Sequence, residues 1–238
     1  MIWPGRRPRP SSPRRKAGPA RVERVGLGDL RPDPIALLGQ AAYLQLAWFE
    51  TATAIAGRAA DLADRETLTR IAAVILQKHH DLVDLITERG GVAAEAMRPY
   101  TAEVERYRRR LGDTGWHESV LTLHLATGLL DDFFARLAST LPDQGARIAE
   151  ILDREFGHEA LVALLRTAVA GDRRLTSRLA LWGRRLVGDT LLAARSALDA
   201  VRDPDGHPTE TEERRIEPVL NDLIAAHTRR MDRLGLTA

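Results

Sequence analysis

The chain has 238 residues, 44% hydrophobic, 29% charged and 5% aromatic, with no cysteine. The missing cysteine excludes disulfides, thiolate zinc sites and cysteine nucleophiles, and no apolar run is long enough to cross a bilayer as a helix. The formal net charge is +2, yet residues 1–24 carry eight Arg or Lys against one Glu, a local balance of +7 that leaves the remainder at −5.

That basic segment also holds prolines at 4, 8, 10, 13 and 19, set between Arg6, Arg7, Arg9, Arg14, Arg15 and Lys16. Such a composition neither builds a helix nor buries a core, so residues 1–30 are expected to be a disordered basic tail ahead of a single helical domain over 31–238. The tail reads either as an arm giving salt-dependent, sequence-blind contact with tRNA or another polyanion, or as a solvated extension. It lacks the apolar centre of a secretory signal, and the expected location is the cytoplasm with no membrane partner.

From Pro34 onward the apolar residues recur at helical spacing and nothing alternates as a strand, so the fold class is all-α. A first helix is expected from about Ile35 to Ala63, with Leu38, Ala41, Gln45, Trp48, Ala52, Ile55, Ala59 and Leu62 inward. Asp64 is expected to cap a second, from about Arg65 to Arg89, with Leu68, Ala72, Ile75, His79, Leu82 and Ile86 inward. Gly90 and Gly91 stop it. The long connection from Val92 to Gly115, with Pro99 and arginines at 106, 108, 109 and 110, is expected to cross the bundle. A third helix runs from about Trp116 to Thr140, and Pro142 separates it from a fourth. Two further helices, about Arg173 to Val201 and Thr211 to Leu234, flank a Pro/Gly/Asp break at Asp203 to Pro208 and offer a surface for a homodimer.

The fourth helix carries the most informative residues. Its stripe reads Ile148, Ile151, Leu152, Glu155, His158, Val162 and Leu165, which places a carboxylate and an imidazole three residues apart on the inward face. Two such groups facing hydrocarbon need a partner, either a metal ion or each other, unless the helix is rotated so that both reach water. Di-metal bundles place a Glu-x-x-His pair on each of two helices and one carboxylate on each of the other two. His79 takes the inward position on the second helix, but Leu76 stands three residues before it, and His80 faces solvent. The first helix presents Gln45 and the third Thr127, with Asp131 one turn further on and Asp132 about 100° off that face. Candidate metal ligands are therefore Glu155, His158, His79, Asp131 and Asp132, while Gln45, Leu76 and Thr127 are degenerate ligand positions. No Gly-rich phosphate loop or nucleophile elbow is present, so no nucleotide cofactor is expected and no catalytic residue is assigned.

Two closing segments carry a resemblance: Leu-Ala-Leu-Trp-Gly-Arg-Arg-Leu-Val-Gly at 179–188 and Ala-His-Thr-Arg-Arg-Met at 226–231. Over about residues 33–236 the chain resembles the ferritin-like tRNA hydroxylase-like family, relatives of the di-iron enzymes that hydroxylate 2-methylthio-N6-isopentenyladenosine in tRNA. The resemblance implies a ferritin-like four-helix bundle with a long crossover and two additional C-terminal helices. It implies a di-iron monooxygenase with carboxylates where Gln45, Leu76 and Thr127 stand. Three readings follow: a divergent, catalytically impaired member, a mononuclear non-haem iron site, or a non-catalytic helical scaffold, holding two irons, one or none.

Overall fold

The computed structural model describes residues 32–112, 114–201 and 210–237, the side chains of 199–201 and 210–215 excepted. The basic tail and the break from Asp203 to Pro208 lie outside the described residues. Every long element is a helix.

Helix α1, Pro34–Gly57, begins where Asp33 accepts the Ala36 N–H at 2.8 Å and proline occupies the first turn. Helix α2, Leu62–Glu88, pairs extensively with it as a hairpin. Two expectations are corrected here. The first helix stops at Gly57 instead of reaching Ala63, and the cap of α2 is Asp61, whose carboxylate accepts from both Ala63 and Asp64 amides. Asp64 becomes a first-turn residue, and Leu62, no longer on the α1 stripe, is 76% exposed.

The connection to the next long helix is itself helical. Helix α3, Ala93–Met97, a 3₁₀ turn at Arg98–Tyr100, and α4, Thr101–Leu111, carry the chain across the bundle, with α3 against α1 and α4 against the later helix α8. Helix α5, Trp116–Ala138, is the axis of the fold. From Val120 to Ala138 only Asp132 and Arg136 escape full burial, because α1 and all the later helices pack around it. A helix without a solvent face is apolar nearly all round, and α5 reads that way from Val120 to Leu130.

The expected fourth helix is two helices. Helix α6, Gly145–Asp153, ends at Arg154, and α7, His158–Val169, starts after Gly157, whose φ of +112° lies in the left-handed region. A Cβ at Gly157 would also run into the Ile71 side chain. Glycine is therefore required twice over, for the turn and for close approach to α2.

Helices α8, Arg173–Val201, and α9, Glu210–Arg233, complete the wrapping of α5. The indole N–H of Trp182 donates to Thr122 Oγ1 at 2.8 Å, and Arg230 binds Asp132 at 2.9 Å and the Gly128 carbonyl at 3.2 Å. Gly183 leaves room for the Met231 thioether, and His227 is hydrogen-bonded to the Gly183 backbone. The closing segments at 179–188 and 226–231 thus meet each other and clasp α5. His227 is buried at the α8/α9 contact, whereas Arg185 stacks over the Trp182 ring at 5.1 Å as an ordinary helix-surface arginine does. Among the described residues no helix is long and apolar enough to cross a membrane.

Candidate functional site

At the centre of the bundle, between α1, α2, α5 and the end of α6, lies a cluster of Gln45, Lys78 and Asp131. Lys78 is the residue that pattern reading missed. Its ammonium donates to Asp131 Oδ2 at 2.9 Å and to the Leu152 carbonyl at 2.6 Å, and sits 5.0 Å from the Phe156 ring centroid. Gln45 Nε2 donates to Asp131 Oδ1 at 2.6 Å. Side-chain exposures of 1% for Lys78 and 7% for Asp131 make this a buried ion pair.

The break in the fourth helix explains why the cluster closes. The last carbonyls of α6 have no intrahelical partner and carry the negative end of its dipole, so Leu152 presents an acceptor to the ammonium. Burial pushes the Asp131 carboxyl above the usual carboxylate range, and Lys78 and Gln45 pull it back. Lys78 could have been found in the sequence, since Ile71, Ile75, Lys78, Leu82 and Leu85 share the spacing of one helical stripe.

The sequence-predicted residues are distributed over separate arrangements. Glu155 is exposed, on the connection between α6 and α7, where its carboxylate accepts from the Gly157 amide at 2.8 Å and from the His158 amide. It caps α7 and does not face inward as its place in the stripe suggested, because Gly157 turns the chain before the second half of the pattern. His158 is partly buried, with Nδ1 at 3.2 Å from Nδ1 of His124, a buried residue that pattern reading passed over. His79 faces inward as expected, but its Nδ1 is held at 2.9 Å by the Ala42 carbonyl of α1. Asp131 is in the lysine cluster, and Asp132 is paired with Arg230. Leu76 is half-buried and apolar, while Gln45 Oε1 and Thr127 Oγ1 are buried without a partner among the described residues.

His124, His158 and His227 lie in a cationic setting. Burial pushes His158 down to about 4, with the Arg230, Lys78 and Arg233 charges adding to the effect. Burial likewise holds His124 well below the ordinary histidine range, and His227 down to about 4. His79 is lowered by burial against the raising influence of the Ala42 carbonyl.

The donor set does not fit two metal ions. A bridged di-iron site draws on about four carboxylates, whereas the buried carboxylates among the described residues are Asp131, both of whose oxygens are engaged, and Glu118, which is paired with Arg178 at the start of α5. The cation beside Asp131 is an ammonium. Gln45 and Thr127, at positions where the resemblance implies acidic residues, keep orphaned oxygens instead of supplying charge. Among the described residues, no three His, Asp or Glu side chains converge as a ligand group.

A hairpin, a helical crossover, a buried central helix and a split fourth element with polar residues at the bundle centre define a ferritin-like protein. The sequence family described as "Ferritin-like domain, actinomycetes" matches residues 32–222, and the chain belongs to it. A comparison with curated proteins returned no match.

Proposed function

We propose that this chain is a divergent, non-oxygenase relative of the tRNA hydroxylase-type bundles, in which a lysine supplies the buried positive charge that metal ions supply elsewhere, and that it acts as a helical binding module. The observation that carries the reading is the Lys78 ammonium on Asp131 inside the bundle. An ammonium at that carboxylate disfavours a metal ion there, since the two cations repel and each carboxylate oxygen already accepts a hydrogen bond. The cluster retains the packing role of a metal centre, tying α1, α2, α5 and α6 together, without its redox chemistry.

Elemental analysis of the full chain after anaerobic Fe(II) loading and desalting tests this, with Asp131→Asn and His158→Ala as controls. The expected content is well below one iron per chain and unchanged in both variants. About two irons per chain, lost on His158→Ala, would overturn the proposal and restore the monooxygenase reading. About one, lost in the same variant, would establish the mononuclear site instead.

The proposal includes a cytoplasmic location, supported by the cysteine-free composition, and contact of the basic segment with tRNA or another polyanion, supported by its +7 balance. Deleting residues 1–24 should remove salt-dependent tRNA binding, and binding that survives the deletion would place the nucleic-acid site in the bundle.

A further inference from the structure

A cleft of about 340 Å³ opens where the end of α1, the basic helix α4 and the start of α5 meet, away from the lysine cluster. Its lining is of two kinds. Ile55 and Leu111 supply buried apolar lining, and Arg58, Arg108 and Arg109, from the same two stretches of chain, bring three guanidinium groups to it, with Glu105 also in the lining.

The charges of these arginines are not equally satisfied. Arg108 pairs with Glu50 at 2.8 Å and Glu105 at 2.9 Å, so its charge is offset. Among the described residues, Arg58 is held by neutral groups, the Thr114 carbonyl at 2.8 Å and Ser119 Oγ at 3.5 Å. The Arg109 guanidinium makes no hydrogen bond or ion pair with any described residue. Among the described residues, the cleft therefore holds one guanidinium, Arg58, positioned by neutral groups alone and one, Arg109, whose side chain has no partner, beside the Ser119 hydroxyl.

We propose that this cleft binds an organic phosphate monoester, the phosphate between Arg58 and Arg109 and the carbon body against Ile55 and Leu111. A guanidinium fork matches two phosphate oxygens at once, and two forks from separate elements converge on one dianion. The volume lies at the lower end of the range for small-molecule sites and suits a compact body better than a duplex surface. The inference is independent of how the bundle centre is read, because no residue of the cleft belongs to the lysine cluster.

Calorimetric titration of the full chain with phenyl phosphate, inorganic phosphate and a short single-stranded RNA lacking terminal phosphate tests it. Phenyl phosphate should bind more tightly than inorganic phosphate. Arg58→Gln and Arg109→Gln should each weaken it about tenfold, the loss expected for one charge-assisted hydrogen bond. Arg109→Lys should fall between, and Arg106→Gln, on the same helix but outside the cleft, should leave affinity unchanged. Since the Arg109 guanidinium has no partner to lose among the described residues, its variants should melt with the parent chain. Absence of phenyl phosphate binding, binding indifferent to both arginines, or equal affinity for inorganic phosphate would overturn the assignment. RNA binding as tightly as phenyl phosphate through the same arginines would also overturn it and reassign the cleft to a nucleic-acid backbone.

Discussion

Lys78 Nζ and Asp131 Oδ2 stand 2.9 Å apart at the centre of the bundle, with almost no solvent on either side chain. Neither charge tolerates that position alone. Removing one partner of a buried pair typically costs about 3–5 kcal/mol, because the other charge is left uncompensated. Lys78→Met and Asp131→Leu should each destabilise the fold by roughly that amount, and the double variant should recover most of the loss. Urea denaturation of the four proteins measures it, and two additive losses would show that the two residues do not act as a pair.

Glu155 acts on α7 alone. Glu155→Ala removes the acceptor for the amides of Gly157 and His158 and should lower stability by about 1 kcal/mol, the usual scale of a lost cap. Glu155→Asp, with a shorter reach, should lose part of it. Iron content after Fe(II) loading should be the same in Glu155→Ala and the parent, and a drop would return Glu155 to the ligand set.

Gly157→Ala should be far more harmful than Gly188→Ala. Alanine at φ +112° is strained, which is worth about 1–3 kcal/mol, and its Cβ would also collide with Ile71. Gly188 meets nothing within 4 Å and has no left-handed φ, so alanine there should be neutral or slightly stabilising. Thermal melts of the two variants side by side give the comparison.

Acid should loosen the contacts of α7 with α5 and of α9 with α8. His158 and His227 are held down to about 4, against about 6.5 for an unfolded histidine. The unfolded chain therefore binds more protons between those values. Their contribution to stability is complete above about pH 6.5 and is lost as pH falls toward about 4. Denaturation midpoints should fall over that window, and His158→Phe should flatten the slope while leaving the alkaline side nearly level. A midpoint that did not fall below about pH 6.5 would contradict this.

The α1 and α2 stripes were legible because each helix buries one face. All the inward residues read for α1 up to Ala59 and all those read for α2 are buried, and His79 and His80 were separated correctly. Lys78 was missed because a charged residue within an apolar stripe is ordinarily taken for the edge of the face, whereas α2 is buried over an arc wide enough to include it. The fourth helix was misread at Gly157. A glycine inside a periodic pattern is compatible with a continuous helix, and the apolar period resumed in register beyond it.

The amino-acid order alone established an all-α chain with a helix hairpin, a crossover and two closing helices, since apolar periodicity and breakers act locally. Gln45, Leu76 and Thr127 stand where the resemblance implies carboxylates. Which polar groups meet at the bundle centre was settled by tertiary structure. The turn at Gly157 sent Glu155 outward to cap α7 and exposed the Leu152 carbonyl inward, and α2 brought Lys78 to Asp131. Desolvation makes partners obligatory for buried charges, but the choice of partner depends on distances between helices, which no stretch of sequence contains by itself.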